Sequence, residues 1–304
     1  MSTVIEARDL RKTYGNLVAV DGVSFEVRQG EIFGMVGPNG AGKTTTIECI
    51  EGLRQPDGGS VRLLGLDPAR DPQQIADRVG IQLQESALPP RMRAGEALRL
   101  FGSFHKRRVD AAGLLDRMGL AEKRRAPFSK LSGGQKQRLS IALALVNQPE
   151  VVFFDELTTG LDPQARHSMW DLVTQVRDSG CTVVLTTHFM EEAERLCDRV
   201  LIMDHGRIVA LDTPDALIRS LGAERRLVLT FPPGKTPPSL GHLPAVHRVE
   251  QVGDRLIVYG GGERFVGGVV SALEHAGIGL IDLRTEESTL EDVFLALTGR
   301  EMRE

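Results

Sequence analysis

Residues Gly37-Pro38-Asn39-Gly40-Ala41-Gly42-Lys43-Thr44-Thr45 carry the spacing G-x-x-x-x-G-K-[ST]. Glycines at those positions let a backbone wrap a polyphosphate with its N–H groups turned inward, and a following helix N-terminus adds favourable dipole charge. Lys43 is expected to reach the β- and γ-phosphates and Thr44 to hold Mg²⁺ through its hydroxyl. The run Val151-Val152-Phe153-Phe154-Asp155-Glu156 supplies a complement. A buried strand would carry Asp155 to its C-terminal edge, where ligands of open parallel sheets bind. Asp155 is then expected at the Mg²⁺ site, with Glu156 orienting or deprotonating an attacking water. Acidic pairs after apolar strands also serve as caps, so this motif takes its meaning from the first. His188 follows the apolar Val183–Leu185 and would share that edge, able to donate to a γ-phosphate; a lone His is more often structural. Gln84 follows Val79–Leu83 in a similar way. Its uncharged amide can touch both Mg²⁺ and the water, although a loop glutamine is the default in isolation.

Leu131-Ser132-Gly133-Gly134-Gln135 opens an apparent helix over Lys136–Val146. That is a second helix N-terminus suited to an anion, with a plain helix cap as the alternative. A second anion site is odd for a simple nucleotide hydrolase. It makes sense if it meets a phosphate bound by another subunit.

These motifs need particular elements to position them. Residues 3–10 and 23–36 read as strands with breaks at Gly22 and Gly30, and Lys43–Gly52 as a helix. That is the strand–loop–helix order a phosphate loop requires. From about Arg93 to Asn147 the pattern is helical, with Ala97, Leu98, Leu100, Phe101 and Phe104 at spacings near three and four. Arg166–Ser179, Cys181–Leu185, Met190–Cys197 and Arg199–Met203 then alternate helix with strand, which implies a mainly parallel sheet with helices on both faces. Composition shifts near Leu221-Gly222, and four prolines fall within 232–243. Beyond lie strand candidates at Arg226–Phe231, Val246–Val252, Arg255–Tyr259 and Gly279–Leu283. Helix candidates lie at Arg264–Ala276 and Thr289–Leu297, the last capped by Ser288 with Glu291 three residues on.

The 304 residues suit one large and one small domain, and the formal charge of −4 gives no basic field that would call for nucleic acid. Basic clusters at His105–Arg108 and Lys123–Arg125 read as solvated helix faces first and partner-facing patches second. Cys49, Cys181 and Cys197 are far apart and show no paired spacing, so they read as reduced, buried residues rather than a disulfide or zinc framework. The N-terminus lacks a signal-peptide core, and no stretch approaches the ~20 apolar residues a spanning helix needs. A membrane role is expected to come through a partner.

With these motifs in this order, residues 3–220 resemble an ABC-transporter nucleotide-binding domain, and LSGGQ is similar to that family's signature. The resemblance implies an α/β fold class. Its parts are a P-loop NTPase core with a mainly parallel sheet, an antiparallel β subdomain and a helical insert at about 93–147. The cassette spans 1–220, and a small C-terminal α+β domain follows at 223–304. It implies that Tyr14, in Lys12-Thr13-Tyr14-Gly15, stacks on adenine, that Gln84 is the Q-loop residue and that His188 is the switch histidine. Thr159-Gly160-Leu161-Asp162 looks like the D-loop, with Asp162 at a subunit contact. Two chains would clamp two ATP molecules head to tail, each between one chain's phosphate loop and the other's Ser132–Gln135. Leu157 stands where the family usually has proline. The tail from Ser288 to Arg300 is similar to the accessory domain of the daunorubicin/doxorubicin-resistance family, whose ATP-binding chains pair with a separate ABC-2 type permease.

The expected function is therefore that of an ATP-hydrolysing exporter subunit, peripheral at the cytoplasmic face, with Ser86–Arg93 touching the permease. Drugs, antibiotics or lipid-like compounds are the expected cargo. A soluble ABC-type ATPase is the rival. Repair relatives need a long coiled coil and translation relatives two cassettes, neither of which is found, whereas a cluster-assembly ATPase is opposed only by the added C-terminal domain. Glu156 and His188 speak against a binding module without catalysis.

Overall fold

The computed structural model describes residues 2–82, 88–105, 110–221, 225–232, 239–253, 255–262, 264–286 and 288–299. The chain divides into two compact units, one running to Pro214 and one beginning at Asp215. Gln84 and the adjoining Ser86 and Ala87 lie outside the described residues, as do Lys106–Arg108 of the first basic cluster.

The first unit opens with β1 (Thr3–Tyr14), β2 (Leu17–Arg28), β3 (Ile32–Val36), α1 (Lys43–Glu51), β4 (Gly58–Leu63), α2 (Pro72–Ala76) and β5 (Val79–Gln82). Then come α3 (Ala94–Gly102), α4 (Ala111–Arg117), α5 (Gly133–Ala144), β6 (Val151–Asp155), α6 (Pro163–Asp178), β7 (Thr182–Thr187), α7 (Met190–Leu196), β8 (Arg199–Asp204) and β9 (Arg207–Asp212). Its main sheet has the order β5-β6-β7-β3-β8-β9, parallel throughout except at the β8–β9 pair. The central strands are buried on both faces, which is why their sequences read as unbroken apolar runs. A second, antiparallel sheet orders β2-β1-β4, and the ring of Phe25 on β2 stacks at 5.4 Å on Phe33 of β3. Leu114, Leu115, Met118 and Leu120 are all buried, whereas Leu100 and Phe104 of the helical pattern at Ala97–Phe104 are exposed.

The second unit follows α8 (Pro214–Ser220) with β10 (Arg225–Thr230), β11 (Val246–Val252), β12 (Arg255–Gly260), α9 (Phe265–His275), β13 (Asp282–Glu286) and α10 (Leu290–Thr298). Its antiparallel sheet orders β11-β12-β10-β13. Leu227, Leu229 and Val258 from the sheet pack with Phe265, Val269 and Leu273 of α9. Two expectations need correction. The last strand lies three residues beyond the expected Gly279 start, at Asp282. The cap of α10 is Thr289, not Ser288, and its reciprocal partner is Asp292 rather than Glu291. The shorter Asp side chain closes the same box one residue later.

Candidate active site

The parallel register sets the site. Val36 and Thr187 end β3 and β7 side by side, Ile202 of β8 pairs with Val36, and Asp155 of β6 pairs with Thr186. The loops after β3, β6 and β7 therefore leave one sheet edge.

The loop after β3 wraps tightly. Gly42 adopts φ 101°, and a Cβ there would stand 2.3 Å from the Ala19 carbonyl oxygen. Only glycine satisfies both the left-handed backbone and the close approach. Lys43 begins α1, is 5% exposed, and its ammonium donates to the carbonyls of Gly37 at 2.7 Å and Pro38 at 3.1 Å. Burial pushes its pKa down, while the neighbouring Glu156 and Asp155 carboxylates work to hold the charge. Thr44 is exposed beside it and Thr45 half-buried; Asn39 and Gly40 are exposed at the loop tip.

Across from Lys43, Asp155 has its pKa raised, first by burial. A hydrogen bond from the Thr186 hydroxyl opposes that shift, Glu156 adds to it and Lys43 counters it. Glu156 sits at φ 47°, a left-handed conformation that a non-glycine residue holds only when its surroundings enforce it. Thr186 enforces it: the Glu156 N–H donates to the Thr186 carbonyl at 3.2 Å and to its hydroxyl oxygen at 3.1 Å. Leu157, in the place of the usual proline, is buried. His188 Nδ1 lies 3.4 Å from Glu156 Oε1, within ion-pair range though not aligned as a hydrogen bond. The His188 ring packs on Phe189 at 4.1 Å.

One cluster thus joins a buried ammonium, two carboxylates and an imidazole at the mouth of a phosphate-shaped loop. A carboxylate held beside an imidazole can accept a proton from water, and the ammonium and loop N–H groups can take up developing negative charge. Sequence alone assigns no role to Thr186, the first residue of Thr186-Thr187-His188. Its only signal is a hydroxyl pair, Thr186-Thr187, buried at the end of an apolar strand. Among the described residues no group of three or more His, Cys, Asp or Glu side chains could hold a metal by itself.

The remaining candidates lie on other elements. Ser132 caps α5: its hydroxyl oxygen accepts from the Gln135 N–H at 3.3 Å, and Gln135 Oε1 accepts from the Ser132 N–H at 3.1 Å. This reciprocal box leaves Gly133 and Gly134 to open the helix with no side chain over their N–H groups. Asp162 caps α6, accepting from the Ala165 N–H at 2.9 Å ahead of Pro163. Tyr14 ends β1 and is 39% exposed, next to the exposed Leu17 and Val18 of the facing strand.

Residues 20–159 match the ABC transporter family description. The Nod factor export ATP-binding protein I of Ralstonia nicotianae is 42% identical over 99% of this chain and 95% of its own. A daunorubicin resistance ATP-binding protein of Streptomyces coeruleorubidus is 37% identical over 99% and 98%. Among solved structures, an ATP-binding subunit of an ABC transporter superposes with a TM-score of 0.66 at 30% identity, covering 72% of this chain and 94% of that one. A nucleotide-free ATP-binding cassette superposes at 0.63 and 23% identity over 70% and 92%, a likeness of fold alone. Among the described residues no helix is long and apolar enough to cross a membrane. The chain belongs to the ABC transporter family as an ATP-binding, ATP-hydrolysing subunit.

Proposed function

We propose that the chain is the ATP-driven subunit of an exporter, working as a homodimer with a separate ABC-2 type permease at the cytoplasmic face of a membrane. The observation that carries this reading is similarity from end to end. Proteins named for Nod factor export and for daunorubicin resistance align over the second unit as well as the first. A soluble cluster-assembly ATPase would have to share the cassette alone. The cargo is a drug, an antibiotic or a lipid-like compound, and the helical region at about 93–147 carries motion to the permease.

In this reading Tyr14 stacks on adenine, and Gly37, Pro38, Asn39, Gly40, Ala41, Gly42 and Thr45 cradle the phosphates. Lys43 leaves the loop carbonyls to pair with the β- and γ-phosphates. Thr44, Asp155 and Gln84 hold Mg²⁺. These are all hard oxygen donors with a single carboxylate, a set that fits an ion taking the rest of its shell from phosphate and water. Bound there, Mg²⁺ would neutralise phosphate charge. Glu156 accepts a proton as the water oxygen bonds to the γ-phosphorus and the bond from that phosphorus to the bridging oxygen of ADP breaks. His188 donates to the γ-phosphate. Ser132, Gly133, Gly134 and Gln135 of one copy meet the γ-phosphate held by the other, with Asp162 at the contact between copies.

Glu156→Gln keeps the shape and removes the base. Phosphate release is expected to fall by about two orders of magnitude or more, while ATP converts the chain to a stable dimer on size exclusion. Undiminished turnover would remove Glu156 from its role, and turnover loss without dimerisation would remove the shared-site reading.

A further inference from the structure

We infer that Arg54, anchored by Glu48, is a specificity residue for the nucleotide base: it sets the Tyr14 ring as a platform for a purine. The inference rests on the reading of Tyr14 as the base-stacking residue, and the observations behind it are independent of that reading.

α1 ends at Gly52, whose φ of 78° turns the chain back on itself. A Cβ at Gly52 would stand 2.9 Å from Pro68 Cβ and 3.0 Å from its carbonyl oxygen, so the turn is closely packed. The returning Arg54 N–H donates to the Glu48 carbonyl at 3.0 Å, closing the turn back onto the helix end. Its guanidinium Nε then meets Glu48 Oε2 at 2.6 Å. Held from both ends on one residue, the Arg54 guanidinium carbon lies over the Tyr14 ring at 5.2 Å from its centroid.

A second cation is fixed beside the same ring. Lys12 Nζ stands 5.8 Å from the Tyr14 centroid and donates to Asp57 Oδ1 and the Gln55 carbonyl, each at 2.8 Å. Asp57 also accepts from the N–H and hydroxyl of Thr13, at 2.7 and 2.8 Å, which pins the backbone next to Tyr14. The ring is thereby ordered before any ligand arrives.

A cation over an aromatic face draws on its π electrons and makes the ring a better partner for an electron-rich, extended base. Ordering the ring in advance lowers the entropy cost of stacking. Glu48 lies on the same helix whose first residues are Lys43 and Thr44. The phosphate anchor and the carboxylate that holds Arg54 over the Tyr14 ring thus share one rigid element, which ties the base platform to the phosphate loop. A larger purine surface gains most from such a platform, and a bare polyphosphate gains nothing.

The test is equilibrium binding by titration calorimetry of the full chain with Mg-ATP, Mg-CTP and inorganic triphosphate. Arg54→Met keeps the stem and removes the charge. It is expected to weaken ATP about fivefold, weaken CTP less, and leave triphosphate within about twofold. Adding Arg54→Met to Tyr14→Ala should cost ATP nothing further, because the arginine acts through the ring. Equal weakening of ATP and triphosphate, or an additive double variant, would overturn the inference by placing Arg54's effect on α1 instead. If Tyr14→Ala selectively weakens ATP while Arg54→Met does not, the inference fails and the Tyr14 reading stands. If Tyr14→Ala affects ATP and triphosphate alike, the Tyr14 reading itself fails and takes the inference with it. An unchanged melting temperature in each variant separates these outcomes from misfolding.

Discussion

Thr186 does two jobs with one hydroxyl. It donates to Asp155 and accepts from the Glu156 N–H, so it governs both the charge of one carboxylate and the direction of the other. Thr186→Val preserves shape and removes both bonds. Asp155 then loses the interaction that opposes its burial-raised pKa, and Glu156 loses a restraint on its left-handed backbone. We expect kcat to fall by about tenfold or more, with a stability loss of about 1–2 kcal/mol from the orphaned buried groups. Thr186→Ser, which keeps the hydroxyl, should recover most of the rate. Phosphate release assayed beside thermal unfolding checks this; a Val variant at full rate would reduce Thr186 to packing. The residue escapes sequence reading because its partners stand 31 and 30 positions away. Only the β6–β7 register brings them together.

Helix α1 begins with a buried cation and ends with a misplaced acid. Glu51 is its last residue, where a negative charge opposes the helix dipole. Burial, with Asp155 and Glu48 nearby, pushes its carboxyl up to about 8. Between the usual carboxylate range and that value, the folded chain keeps a proton that the unfolded chain has released. Stability therefore falls as pH rises from about 4.5 toward 8, and no penalty remains below that window. Glu51→Gln should remove the slope, raising the melting temperature at pH 8 on the order of 2–4 °C with little change near pH 4. Equal shifts at both pH values would contradict this. Elements differ in how openly the sequence declares them. β3, β6 and β7 are legible because a strand buried on both faces must be apolar throughout. β1 and β2 are read short because their hairpin carries register shifts that break the alternation. β4 begins with two glycines and β9 is half-exposed, so neither gives a period. The loop, the acidic pair and the histidine are legible because their strands all end at one sheet edge. The Tyr14–Arg54 contact is not, since it depends on how Gly52 turns the chain after α1.

At the scale of the whole molecule, one copy holds an ammonium, carboxylates and an imidazole together but keeps the Ser132–Gln135 helix end on a different element. If ATP is completed by the α5 N-terminus of a second copy, turnover per chain must depend on meeting that copy. Phosphate release per chain should rise with protein concentration and then saturate, whereas a self-sufficient chain gives a constant value. A charge at Gly133 separates the helix end's two roles. Nothing lies within 4 Å of a Cβ built there, so the fold accepts a side chain. A carboxylate in the first turn of α5 also favours the helix dipole by a few tenths of a kcal/mol or more, on the order of 0.3–1 kcal/mol. Gly133→Glu should therefore melt at the same temperature or slightly higher. Yet the same carboxylate repels an incoming γ-phosphate, so turnover should drop at least about tenfold and the ATP-induced dimer should be lost. A cap with only a structural job predicts the same stability but catalysis intact at every concentration.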